Sequence, residues 1–86
     1  GYITDSLGWA LFKSKYFFEA KKYLERAIIL MPRDPVINDH YADCLWMNNF
    51  KIQARYYWNN VLLSDEADQE LKVKVEQKIL FGLPNS

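Results

Sequence analysis

His40 and Cys44 are the residues best suited to chemistry, because they stand four positions apart and would share one face of a helix. The pair could supply part of a zinc site, but zinc needs two more ligands and the chain has no other Cys or His. The chain also lacks a glycine-rich phosphate loop and a G-x-S-x-G nucleophile motif. The sequence therefore predicts that the chain is not an enzyme and binds neither a cofactor nor a metal. We expect Cys44 to be a small buried residue and His40 to lie at the margin of a groove.

Length and charge exclude several further classes of protein. The chain has 86 residues, 50% of them hydrophobic, and its 11 basic side chains balance 11 acidic ones. A chain this short forms one domain with a modest core, and its apolar content is too high for intrinsic disorder. Zero net charge gives no long-range attraction to nucleic acid. The longest apolar run, residues 27–31, is far shorter than the ~18 residues that a membrane-spanning helix needs.

Apolar residues three and four positions apart predict helices along the whole chain. Pro32 ends the second helix, and the pair Asp34-Pro35 supplies an N-cap and a first helical residue for the third. Asn49 tolerates the left-handed conformation needed in the next turn. A fifth helix follows the cap Asp68 and ends at Gly82. The other four predicted helices cover residues 3–14, 17–31, 35–48 and 51–63.

The chain resembles itself at an offset of 34 residues. Identical residues at this offset are Ile3 and Ile37, Asp5 and Asp39, Leu11 and Leu45, Ala20 and Ala54, Tyr23 and Tyr57, and Asp34 and Asp68. Small residues such as Gly8 and Ala42 also match, as required where two helices approach closely. The period predicts an all-α fold, a right-handed α-solenoid of antiparallel helix pairs. The fifth helix continues the register as a half-repeat that caps the stack.

This pattern resembles the tetratricopeptide repeat (TPR) family, and the resemblance covers essentially the whole chain. The matching positions are Leu7-Gly8-x2-Leu11, Ala20-x3-Leu24, Ala27 and Pro32 in the first repeat, and Tyr41-Ala42-x2-Leu45 and Ala54-x3-Trp58 in the second. The resemblance implies repeats at residues 1–34 and 35–67, with a capping helix and tail at 68–86. It also implies a non-enzymatic protein-binding role. Because the chain starts at Gly1 without an initiator methionine, we interpret it as a piece of a longer protein. The run from Asp34 to His40 resembles the last repeats of multi-repeat bacterial proteins, which implies that the chain is the C-terminal repeats of such a protein.

In the TPR family the first helix of each pair lines a concave groove, and the resemblance places an aromatic and acidic set of residues there. We expect a protein or peptide partner with basic and aromatic residues, held by charge pairing and cation–π contact. Chaperone tails that end in a carboxylate are disfavoured, because Asp5, Trp9 and His40 stand where the family uses Lys and Asn to bind that carboxylate. The predicted groove residues are Asp5, Trp9, Phe12, Asp39, His40, Asp43, Trp46 and Met47, flanked by Tyr2, Lys13 and Val36.

Several alternatives remain open from the sequence. The aromatic residues Trp9, Phe12 and Trp46 could be packing between repeats rather than ligand contacts. The chain could be only the structural cap of a longer solenoid, with the preceding repeats of its parent chain as its partner. An uncovered apolar end at Tyr2 and Ile3 could produce a homodimer of the fragment. The charges of the fifth helix, Lys78 among them, are expected to form a solvated face. Intracellular and periplasmic or envelope locations are both compatible with the sequence.

Overall fold

The computed structural model describes the backbone of residues 2–84 and the side chains of residues 3–84. Within that part, the chain forms five α-helices and no β-strand: α1 Tyr2–Lys13, α2 Phe17–Leu30, α3 Pro35–Met47, α4 Lys51–Leu63 and α5 Gln69–Phe81. The all-α fold class is confirmed, and the helix ends agree with the predicted ones to about one residue. The groove and surface predictions that involved the Tyr2 side chain lie outside the described residues.

Local sequence signals explain where the helices start. The Asp34 carboxylate accepts hydrogen bonds from the backbone N–H groups of Val36 and Ile37, at 2.9 and 3.1 Å, with Pro35 as the first residue of α3. The Asp68 carboxylate accepts from the N–H of Leu71 at 2.8 Å. Each carboxylate satisfies amides that have no partner inside the helix, which stabilises the start of the helix by about 1 kcal/mol.

The turns within the two helix pairs repeat the same backbone geometry 34 residues apart. Lys15 and Asn49 have φ angles of 68° and 69°. After each of them the chain closes in the same way: the N–H of Tyr16 donates to the carbonyl of Leu11 at 2.9 Å, and that of Phe50 donates to Leu45 at 2.8 Å. The internal repeat seen in the sequence is therefore also a repeat of the backbone.

Helices that are neighbours in the chain are neighbours in space. The most extensive contacts join α1 to α2 and α3 to α4, followed by α2 to α3 and α4 to α5. The short connections between them make successive helices antiparallel. The core runs between the helices and includes Ala20, Leu24, Ala27, Ile37, Ala42, Leu45, Ala54, Trp58, Val61 and Val75. Since each helix is covered by the next, α3 is buried on two sides and contributes more residues to the core than any other helix.

Gly82 ends α5 against the Trp46 ring, and its replacement tests this contact. The φ angle of Gly82 is +72°, and a Cβ atom there would overlap Cζ2 of Trp46. We expect Gly82→Ala to lower the free energy of unfolding by ~1–2 kcal/mol, because left-handed strain adds to the overlap. Urea unfolding followed by circular dichroism measures the loss. Gln77→Ala, at an exposed site in the same helix, is the control; equal stabilities of the two variants would contradict the contact.

Candidate partner-binding groove

A cavity of about 470 Å³ opens between α1, α3 and the segment that follows α5. It is mostly apolar, with charged side chains at its edge. The residues that line it are Trp9, Phe12, Lys13, Lys15, Phe17, Asp43, Met47, Leu83 and Pro84. Four of the predicted groove residues, Trp9, Phe12, Asp43 and Met47, therefore line one cavity. We call this cavity the groove.

Aromatic rings form one wall of the groove. The Trp9 ring stacks on Phe12 with centroids 4.8 Å apart and planes 5° apart. Trp9 also stacks on the His40 ring, 3.9 Å away at 7°. Phe17 meets Phe12 edge to face at 5.1 Å. Stacked rings hold each other in place, so the wall is a rigid apolar surface that loses little side-chain freedom when a ligand binds.

His40 is fixed by Asp5 rather than left free at the groove margin. Its Nδ1 lies 2.8 Å from Oδ1 of Asp5, so an ionised Asp5 accepts a hydrogen bond from the ring. Both side chains are mostly buried. The pair joins α1 to α3 and orients the imidazole that supports Trp9. Asp5 therefore serves an internal contact, and its charge is not freely presented to a ligand.

Asp39 and Asp43 are paired with a lysine of α5. The Nζ of Lys78 donates to Oδ1 of Asp39 at 2.9 Å and to both carboxylate oxygens of Asp43 at 3.1 Å. The indole Nε1 of Trp58 adds a fourth hydrogen bond, to Oδ1 of Asp43 at 2.9 Å. We call Asp39, Asp43, Lys78 and Trp58 the lysine cluster. Two acids and one lysine leave one formal negative charge in it, at about neutral pH.

Burial and neighbouring charges shift the titration of this cluster. Burial, together with the adjacent Asp39 carboxylate, raises the pKa of Asp43 from 3.8 to about 6, although Lys78 and the Trp58 hydrogen bond act against the rise. Burial by itself would lower the pKa of Lys78, but the adjacent Asp43 and Asp39 carboxylates raise it above 10.5 overall. Lys78 is therefore charged at neutral pH and holds both acids.

The prediction that Lys78 lies on a solvated face is wrong, because its side chain is mostly buried in the lysine cluster. One signal in the sequence indicated this. Lys78 stands 34 residues after Cys44, so the repeat register places it on the inward face of α5, close to the acids of α3. Cys44 itself is buried as predicted, and its thiol donates to the carbonyl of Phe17 at 3.4 Å.

Trp46 belongs to the core and not to the groove, which corrects its assignment as a partner contact. It is 6% exposed, and its ring lies 5.5 Å from that of Trp58. The cationic groups of Lys51 and Arg55 each lie 4.8 Å from the Trp46 ring centroid. With Gly82 close to its ring, Trp46 is enclosed by α4 and the end of α5, because both helices cover this side of α3.

Sequence reasoning missed part of the groove lining: Phe17, Lys15 and the Leu83-Pro84 segment. Phe17 starts α2, and nothing in its register distinguishes it from a solvent-exposed residue. Leu83 and Pro84 reach the groove only because α5 packs on α4 and ends beside α3. Lys13 and Lys15 are exposed at the groove edge. The groove therefore carries basic charge at its edge, whereas the acids lie deeper and are paired.

The described part of the chain has neither a metal-binding group nor a membrane-spanning helix. Among residues 3–84, no three His, Cys, Asp or Glu side chains are grouped closely enough to hold a metal ion. None of the described helices is long and apolar enough to cross a membrane. Searches of protein-family models, curated proteins and solved structures find no match to the chain. The resemblance to tetratricopeptide repeats stays a prediction that rests on the sequence pattern.

Proposed function

We propose that this chain is a non-enzymatic interaction module that binds a segment of a partner protein or a peptide in the groove. The observation that carries the proposal is the stacked aromatic wall formed by Trp9 and Phe12 beside an open cavity. A few residues contribute most of the binding energy in protein interfaces, and tryptophan is enriched among them. A preformed wall also avoids the entropy cost of ordering side chains at binding.

The pairing of the acids changes the expected partner. A cationic group from a ligand must displace Lys78 to reach Asp39 and Asp43, and Asp5 is already engaged with His40. An apolar or aromatic anchor can enter the groove without breaking any of these contacts. We therefore propose that an aromatic or large aliphatic side chain is the main anchor of the partner, and that a basic residue contributes only in exchange for Lys78.

Replacing Trp9 tests the groove directly. Peptides of about 12 residues are selected from a random display library on the wild-type chain, and we expect them to share an aromatic or aliphatic anchor. Trp9→Ala should weaken their binding by about tenfold or more, because the wall loses its central ring. Isothermal titration or fluorescence polarisation gives the dissociation constants, and circular dichroism checks that the variant is folded.

The matched control is Tyr56→Ala, which removes an exposed aromatic ring of α4 that does not line the groove. Binding should be unchanged in that variant. Selected peptides that bind Trp9→Ala as tightly as the wild type would contradict the proposal, and so would a failure to select any peptide.

A second candidate function is structural: the chain is the cap of a longer helical stack and has no ligand of its own. It is favoured by α5, which covers α4 through the fully buried Val75 and exposes Glu70, Lys74 and Glu76, although Val73, Leu80 and Phe81 of the same helix are exposed as well. Terminal repeats of a stack need a polar exterior, which α5 supplies in part. Under this candidate the library selection yields no ligand for the groove.

A further inference from the structure

The surface of α1 that faces away from α2 carries apolar side chains that are largely exposed. Ile3 is 80% exposed and Leu7 is 52% exposed, and Ala10, one turn further along, is also exposed. These three residues lie on one side of the helix, at spacings of four and three. We call them the α1 face. It lies outside the groove lining.

The corresponding face of α3 is buried. The residues 34 positions later are Ile37, Tyr41 and Cys44, with exposed fractions of 1%, 7% and 0%. Val75 of α5, which stands 34 positions after Tyr41, is also fully buried. By contrast Gly8 and Ala42, which face the second helix of their own pair, are both buried. The difference between α1 and α3 is therefore confined to the face between successive helix pairs.

The helix that precedes each face explains the difference. α2 packs on α3 and α4 packs on α5, whereas no helix of the described chain takes the same position beside α1. The end of α3 is tied to the start of α2, because the Cys44 thiol and the Asn48 amide both donate to the carbonyl of Phe17, at 3.4 and 2.9 Å. Both covering helices share one pattern of small and large residues: Ala20, Leu24, Ala27 and Ile28 in α2, and Ala54, Trp58, Val61 and Leu62 in α4.

We propose that the α1 face is a docking surface for a helical hairpin of the same type as the two helix pairs of this chain. The second helix of that hairpin would lie antiparallel on α1, as α2 lies on α3, and would carry the same alternation of small and large apolar residues. The α2–α3 and α4–α5 contacts supply the template for this interface.

A folded second copy of the chain does not offer the required helix. Its α2 is covered by α3 and its α4 is covered by α5, so neither is available to another α1. Its α5 exposes Leu80 and Phe81, but that helix contains no small residue and lacks the alternation of small and large residues found in α2 and α4. An additional hairpin is therefore the fitting occupant. The inference does not depend on whether the groove binds a ligand, because the two surfaces share no residue.

A hairpin with the sequence of the first helix pair of this chain can be added to test the proposal. A second copy of residues 1–34 is placed directly before Gly1, which keeps the 34-residue register and puts the added second helix beside α1. We expect the melting temperature to rise by about 10 °C, because the Ile3 and Leu7 side chains become buried. Leu7→Ser in the original copy should lower it by ~2 °C or less in the 86-residue chain and by about 10 °C in the extended chain. Ile52→Ser, at an exposed site of α4, is the control and should have the same small effect in both.

A second measurement does not depend on a gain in stability. In a Cys44→Ala background, Ile3→Cys provides a thiol on the α1 face whose reaction with Ellman's reagent can be timed. We expect the rate of this reaction to be lower by a factor of about ten or more in the extended chain. An unchanged rate together with an unchanged melting temperature would overturn the proposal. A second result would also overturn it: the 86-residue chain forms a dimer that Leu7→Ser abolishes, and the extended chain gains no stability. The occupant of the α1 face would then be a second copy of the chain.

Discussion

Replacing Lys78 with methionine should lower the free energy of unfolding by about 3 kcal/mol at neutral pH. The substitution keeps the length of the apolar side chain and removes only the charged group. Without that group, the buried carboxylates of Asp39 and Asp43 face each other with no cation between them, and only Trp58 still donates to Asp43. Removing one partner of a buried ion pair is strongly destabilising, because the remaining charge stays out of water.

The loss of stability caused by Lys78→Met should be smaller at low pH than at neutral pH. The folded-state pKa of Asp43 is about 6, above its ordinary value of 3.8, so the folded state binds this proton more tightly than the unfolded state. The stability that arises from this group therefore falls as pH rises between about 4 and 6. In Lys78→Met the pKa of Asp43 rises further, because the lysine that lowered it is gone. The variant should consequently approach the wild type in stability at about pH 5, where Asp43 becomes neutral.

Urea unfolding at about pH 5 and about pH 7.5 measures both effects. Lys74→Met is the matched control, since Lys74 is an exposed lysine of α5 whose ion pair, with Glu70, is exposed as well. Its effect should stay within about 0.5 kcal/mol at both pH values. A Lys78→Met variant that is equally destabilised at both pH values would show that the methionine disturbs packing and that the carboxylate charge is not the cause.

Gly8→Leu should lower the free energy of unfolding by about 2 kcal/mol. A Cβ at this position would lie 2.7 Å from Cγ of Leu24 and 3.2 Å from Cβ of Tyr23. Leu24 is fully buried, and Cγ is the branch point of its side chain, so it cannot move aside without shifting the core. The better helix propensity of leucine offsets up to ~1 kcal/mol of the overlap, which is why the net loss is smaller than the overlap alone would cause.

The same helix offers a control for Gly8→Leu. Ser6→Leu places the same side chain on an exposed position of α1 and should leave stability within about 0.5 kcal/mol of the wild type. Gly8→Ala should fall between the two, because it introduces the Cβ overlap without the larger branches. If Gly8→Leu melts at the wild-type temperature, the close approach of α1 and α2 does not depend on the absence of a side chain at this position.

The helices themselves could be predicted from local sequence. Asp34 and Pro35 specify the start of α3 through a side-chain cap and a fixed φ angle, and these act within a few residues of the chain. The 34-residue period predicted which positions are small, because Gly8 and Ala42 face the partner helix of their own pair wherever the repeat occurs. These signals act between residues of one repeat, so they can be recognised in the sequence without the tertiary structure.

The candidate site was only partly predictable. Phe12 and Trp46 occupy the same register position, yet Phe12 lines the groove and Trp46 is enclosed in the core. The difference arises from what covers each residue: Gly82, Lys51 and Arg55 surround Trp46. Register fixes the direction in which a side chain leaves its helix, but its exposure depends on the elements that pack around it.

His40 and Cys44 also show which properties follow from local sequence and which follow from tertiary packing. The sequence alone determined that these two residues share α3 and that Cys44 lies on an inward position. Only the tertiary structure decided that His40 is held by Asp5 and that Lys78 neutralises one of the two acidic charges of α3. These pairs join residues 35 and 39 positions apart, and charges so distant along the chain meet only when the helices stack.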